Sequence, residues 1–190
     1  MPPKVKITKS MILNAALKIT QETGYESINA RSIANKLQCS TRPMFTCYEN
    51  MEELKKDFLD FAFEYYNQYV ANYNASTKVK PCLLLPLSYI AFAKEEIHLF
   101  KLLFIDDMDL DMVVANDFYK EIGNVEKAKA FSKMTGIELE RAKKIFLDLF
   151  LYSHGIAVLT ATGKMSLDNN DIEKMLLNFL SAFAAEKDIK

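Results

Sequence analysis

The side chains with the most to offer chemically lie between Ser40 and Leu54, in the run STRPMFTCYENMEEL. Arg42 carries a planar fork of donors that suits a guanine edge or a phosphate. Thr41 and Thr46 are small hydrogen-bonding side chains, and Phe45 and Tyr48 can lie against a sugar-phosphate backbone or pack inward. Lys4, Lys6 and Lys9 precede the first helix and can add phosphate or minor-groove contacts. The chemistry these residues point to is recognition of a polyanion rather than bond making. Charge agrees: residues 1–56 hold 9 Lys/Arg against 5 Asp/Glu, and residues 57–190 hold 15 against 20. A basic head on an acidic body is expected to meet a polyanion through the head alone.

Other constellations carry less. Glu95 and His98 stand at i and i+3, a spacing that can chelate a metal, but no second such pair exists, so an exposed helix face is the reading. Asp106, Asp107, Asp109 and Asp111 lack the glycine and terminal glutamate of an EF-hand and read as a solvated loop. The two histidines are far apart, and there is no nucleophile elbow or phosphate loop. No catalytic set, metal site or cofactor is expected, and the chain does not read as an enzyme. Cys39, Cys47 and Cys82 are an odd set without metal spacing, expected as free thiols in a reducing cytosol.

These side chains need helices to position them. Half the residues are hydrophobic, while Gly and Pro number 5 each, too few for a sheet protein with many tight turns. The expected fold is all-α with about nine helices. A first helix runs from about Thr8 to Thr23, with Ile12, Ala15, Ala16 and Ile19 on one stripe and Gly24 as its stop. Asn29 caps a second helix, Ala30 to Leu37, and Ser40 caps a third, Thr41 to Cys47. Pro43 fits a first turn, yet it disfavours helical backbone at Arg42. Asn50 and Glu53 form a capping box for a long fourth helix, whose stripe runs from Met51 through Leu54, Phe58, Ala62 and Tyr65 to Tyr73. Residues 74–80 break the pattern. Further helices are expected over about 82–93, 95–104, 112–134 (with an interruption near Gly123 left open) and 135–162, the last opened by a capping box of Thr135 and Glu138, and a final helix follows Asp168. The longest apolar stretch, near Leu149 to Thr162, contains His154 and reads as too short to span a bilayer, and the N-terminus lacks the apolar core of a secretory signal. A cytoplasmic protein without a membrane partner is expected.

Residues 11–54, through ILNAALKITQETGYESINARSIANKLQCSTRPMFTCYENMEEL, resemble the DNA-binding domain of TetR/AcrR transcriptional regulators. The resemblance implies a homeodomain-like helix-turn-helix over residues 1–50, and a helical effector-binding and dimerisation domain over 51–190. It places base or phosphate contacts on Thr41, Arg42, Pro43, Phe45 and Thr46, and Lys55 or Lys56 can compensate for the family lysine replaced by Met51. Gln38 stands where the family's turn glycine is usual, Phe45 replaces a phosphate-bonding tyrosine, and Cys47 replaces a second aromatic. The implied partners are a pseudo-palindromic duplex operator, a second copy of the chain and a small apolar effector. The effector pocket would be lined by Tyr65, Tyr69, Tyr89, Phe92, Phe100, Phe104, Met108, Phe118 and Phe146, which are also what any core is made of. The segment FLYSHGIAVLTATG resembles an interface helix of such regulators, so His154, Gly155 and Val158, with Phe179 and Phe183 of the last helix, are the expected dimer contacts. The implied function is that of a repressor released by its ligand. A second reading is a helical ligand-binding or protein-interaction module that has lost specific DNA binding.

Overall fold

The computed structural model describes residues 6–108 and 110–185. Among them there is no strand, and the all-α expectation holds: nine α-helices are joined by two 3-10 turns and one π turn. The chain divides into two compact units, Met1–Gln68 with Glu96–Met108, and Tyr69–Glu95 with Asp109–Lys190.

The first unit begins with α1 (Lys9–Thr23), capped by Thr8, whose Oγ1 accepts from the Met11 N–H at 3.3 Å. The stripe Ile12, Ala15, Ala16 and Ile19 is buried. Gly24 stops the helix at φ 91°, a conformation that L side chains rarely adopt, so the position favours glycine. The chain then makes a 3-10 turn at Tyr25–Ser27, which lets Tyr25 stack on Phe58 at 6.1 Å.

Asn29 caps α2 (Ala30–Lys36) as expected: its Oδ1 accepts from the Arg31 and Ser32 N–H groups, both at 3.0 Å, and Ser32 Oγ accepts from the Asn29 N–H. The helix ends in a Schellman arrangement. The Cys39 N–H bonds Ala34 O at 3.0 Å and the Gln38 N–H bonds Asn35 O at 3.1 Å, with Gln38 left-handed at φ 53°. A side chain other than glycine or asparagine pays for that conformation.

The third helix departs from expectation. α3 is Met44–Cys47, three residues later than the sequence suggests, and Ser40 does not cap it; no side-chain cap bond is made at its start. Pro43 is the cause, since its ring disfavours helical backbone at Arg42. Thr41 to Met44 instead form a turn closed by Met44 N–H to Thr41 O at 3.2 Å. α4 (Met51–Ser76) follows. Asn50 Oδ1 accepts from the Glu53 N–H at 2.9 Å, but Glu53 Oε2 reaches back to the Glu49 N–H at 2.6 Å rather than to Asn50, so the box is one residue wider than expected. α4 buries Leu54, Phe58 and Ala62 and runs three residues into the stretch expected as a break.

α6 (Ile97–Lys101) completes this unit. The single helix expected over 95–104 is instead interrupted before Ile97 and widens into a π turn over Leu102–Asp106, closed by Asp107 N–H to Leu102 O at 3.0 Å. α6 packs on α1, and their junction is polar: Gln21 Nε2 donates to both Glu96 oxygens at 2.9 and 3.0 Å, and Tyr65 Oη donates to Glu96 Oε1 at 2.6 Å. The core is Ile12, Ile33, Met44, Leu54, Phe58, Leu99, Phe100 and Leu103.

The second unit contains α5 (Pro81–Glu95), α7 (Ile122–Thr135), α8 (Leu139–Ala161) and α9 (Asn169–Ala185). α5 and α8 form its centre, with Leu83, Leu87, Ile90 and Phe92 against Ile145, Leu149 and Ile156 among the buried side chains. The helical stretch expected over 112–134, with an interruption near Gly123 left open, is a 3-10 turn at Ala115–Lys120 followed by α7, the break falling at Glu121. Thr135 is not a cap. It ends α7, with Gly136 left-handed at φ 72°, and Glu138 alone caps α8 through the Glu140 and Arg141 N–H groups at 3.0 and 3.1 Å. Gly136 cannot sit inside a helix start at that φ, which is why the expected box shifts. Asp168 caps α9 through the Asp171 N–H at 2.8 Å. α8 is 23 residues long and by length and composition alone could cross a bilayer, so the shorter apolar stretch understates it, and many of its apolar side chains, Ile145, Leu149 and Ile156 among them, are buried inside the protein.

Two outcomes follow. Gln38→Gly removes the left-handed cost and should raise unfolding free energy by about 0.5–1 kcal/mol, after the entropy glycine adds to the unfolded chain; an unchanged or lower urea midpoint contradicts this. Burial pushes the His154 imidazole below its ordinary pKa. The unfolded chain therefore binds a proton that the fold resists, and stability is full above about pH 6.5 and falls below it. His154→Gln should flatten that part of the pH–stability curve; an equal slope in both proteins counts against it.

Candidate functional site

The turn before α3 and the segment entering α1 face each other across an open groove in the first unit. Its walls are Lys6, Ile7, Thr8 and Lys9 on one side and Ser40, Arg42, Pro43, Thr46 and Cys47 on the other. Cys47 Sγ joins the two walls, lying 3.8 Å from Ile7 O. Met44 and Tyr48 point into the core, which leaves Arg42, Phe45 and Thr46 exposed on the outward side.

Five residues expected to contact DNA therefore meet at one place: Lys6, Lys9, Arg42, Pro43 and Thr46. Lys4 lies outside the described residues. Lys6 and Arg42 are exposed and make no ion pair with another described residue. Thr46 Oγ1 donates to Pro43 O at 2.6 Å, which keeps its oxygen lone pairs available as acceptors. Thr41 is half-buried, its carbonyl used in the turn to Met44, and Phe45 is 49% exposed beside the groove rather than in its wall.

Three residues behave differently from a simple cationic contact. Tyr48 packs inward, 2% exposed, and donates its hydroxyl to Asp57 Oδ2 at 2.8 Å. Burial first, then the bond and charge of Asp57, push its phenol far above the ordinary value, so it stays protonated. Lys9 is exposed but has neighbours within the protein: Nζ lies 4.5 Å from the Tyr48 ring centre, 3.8 Å from Glu53 Oε1 and 3.9 Å from Asp57 Oδ2. Lys55 lies over the Tyr25 ring at 5.1 Å and does not line the groove.

The clamp on Lys9 is invisible in the sequence, because its carboxylates are more than forty residues away and reach it only through the packing of α4 near α1. Thr8, Ile7 and Cys47 as groove walls were equally hidden. Only the expected start of α1 at Thr8 hinted at them.

The nine residues expected around an effector fall into both units. Tyr65, Phe100, Phe104 and Met108 belong to the first, and Tyr69, Tyr89, Phe92, Phe118 and Phe146 to the second. In the first, Phe104 meets Tyr66 at 4.8 Å and Phe100 at 5.5 Å. In the second, Tyr69 stands edge-on to Phe92 at 5.1 Å and donates to Glu95 Oε2 at 2.7 Å, while Phe118 lies 6.3 Å from Phe146. Phe92, Phe100 and Phe118 are buried, whereas Tyr66, Tyr69 and Phe104 are half-buried and the Tyr69–Glu95 bond is exposed.

The residues expected at a dimer contact sit on α8 and α9. Leu151 and Leu159 are 51% and 42% exposed, and Gly155 between them has open space above it. Val158 is half-buried. His154 turns toward the protein, its Nδ1 2.9 Å from Tyr89 Oη. Phe179 stacks on Tyr152 at 4.8 Å and lies 4.8 Å from Phe183. Among the described residues no three His, Cys, Asp or Glu side chains are grouped to hold a metal ion. Glu95 accepts from Tyr69, and His98 lies against Gly24.

No known protein family and no characterised protein matches this chain in sequence.

The Lys9 clamp gives a test of the groove's charge. Glu53→Gln keeps an oxygen for the Glu49 N–H and removes one of the two charges facing Lys9. The variant should elute from a heparin column at higher salt than the parent, by the increment of about one freed cation. Unchanged or earlier elution means that Lys9 does not contribute to anion binding.

Proposed function

We propose that this chain is a DNA-binding transcriptional regulator of the TetR/AcrR kind, acting as a homodimer and released from its operator by a small apolar ligand. One observation carries the reading: Lys6, Lys9 and Arg42, drawn from segments more than thirty residues apart, line a single open groove beside the exposed side of α3. A groove of cations and hydroxyls, open rather than enclosed, suits a phosphate backbone passing along it. Arg42, exposed at the turn, is then placed to reach a guanine edge or a phosphate.

The remaining parts of the proposal have their own support. The exposed Leu151 and Leu159, with Gly155 between them, make α8 a surface on which a second copy can pack closely. A two-fold dimer would carry two such grooves to successive turns of a duplex, which predicts a palindromic site. Aromatic interiors in both units suit an apolar effector, which would act by favouring one spacing of the two heads over another.

A second reading is favoured by different observations. Glu53 and Asp57 withhold Lys9, and Phe45 has no hydroxyl for phosphate. Such a head belongs on a ligand-binding or protein-interaction module that no longer reads DNA. Selection from random duplex DNA separates the two: an enriched palindrome supports the regulator, and no enrichment supports the module. On the selected duplex Arg42→Ala should cost about 1–3 kcal/mol of binding, read by fluorescence anisotropy, with the helical signal unchanged. Parental affinity in the variant removes Arg42 from the interface.

A further inference from the structure

Phe45 stands apart on the outward side of α3. It is 49% exposed, whereas Met44 and Tyr48 on either side are 1% and 2% exposed and anchor the helix without it. The side chains that share its face, Arg42 and Thr46, are polar, and the groove they line is cationic. Single exposed aromatics are ordinary on protein surfaces. An exposed aromatic directly beside a groove lined by Arg42 and lysines is a narrower case. Phe45 offers no donor and no acceptor, so it cannot bond a phosphate or the polar edge of a base. In the major groove the apolar feature of a base pair is the C5-methyl group of thymine. We infer that Phe45 packs against a thymine methyl and sets a requirement for thymine at one position of each half-site. The inference rests on the DNA-binding reading above and adds to it a chemical preference, from a residue that cannot act by charge.

The geometry supports a direct contact. α3 is one turn long, so a single residue from its middle dominates the outward side, with Arg42 three residues before it and Thr46 directly after. Arg42 and the lysines hold the duplex, and Phe45 meets what lies between. Its removal should leave the fold intact, because no core side chain depends on it.

The experiment uses the full chain and the duplex recovered by selection. Each thymine of a half-site is replaced singly by deoxyuridine, which deletes one methyl group and leaves pairing unchanged. One replacement should weaken binding about fourfold per half-site, the loss expected for one buried methyl. In Phe45→Ala that replacement should have no further effect, while Phe45→Leu should keep part of the preference. Insensitivity of the parent protein to every deoxyuridine, or a selected half-site without thymine, overturns the inference while leaving DNA binding standing. Equal sensitivity in the parent and in Phe45→Ala overturns it too, by assigning the methyl to another residue. Failure to enrich any duplex removes both the inference and the reading under it. The deoxyuridine series on the parent protein needs no variant to fold.

Discussion

Met44 and Tyr48 are almost wholly buried although the helix that carries them is a single turn. A helix of that length has no stability of its own, because nucleation costs more than one turn of hydrogen bonds returns. α3 therefore exists through the burial of those two side chains against the core built on α1, α2 and α4. That same burial decides what points outward. With Met44 and Tyr48 inside, Arg42, Phe45 and Thr46 have only the solvent side left to them. The candidate groove is thus a consequence of core packing rather than of a separately formed loop.

Two constraints on the backbone adjust this arrangement. Gln38 holds a left-handed conformation so that α2 can end and the chain can turn back, and the two reverse hydrogen bonds of the turn hold it there. Pro43 then delays the helix and leaves Arg42 in a turn, where its side chain is less bound by helical direction. Electrostatics adds a third adjustment. Tyr48, Glu53 and Asp57 together hold Lys9, so that one of the groove's cations is shared between the protein and any anion outside it. Exposed pairs of this kind are worth about 0–1 kcal/mol, weak enough for a polyanion to compete with them.

The second unit follows a different rule. α5 and α8 are apolar around most of their circumference, and the surplus appears on α8 as Leu151 and Leu159 left in solvent. Those two leucines are the ground on which a second copy of the chain is proposed to pack.

What the sequence by itself determined is local. The caps at Asn29, Asn50 and Asp168, the stop at Gly24 and the buried stripe of α1 could all be read from neighbours a few residues apart, because caps and stripes depend on spacing along one helix. The all-helical class was legible for the same reason. The cationic residues near the turn were legible as types. Tertiary structure decided the rest. It turned Tyr48 inward, put Cys47 against Ile7, and clamped Lys9 with Glu53 and Asp57. It also widened the end of α6 into a π turn. Each of these turns on which distant side chains share a desolvated space, a property of packing that no window of the sequence contains. The late start of α3 lies between the two: Pro43 announced the conflict, and the burial of Met44 resolved it.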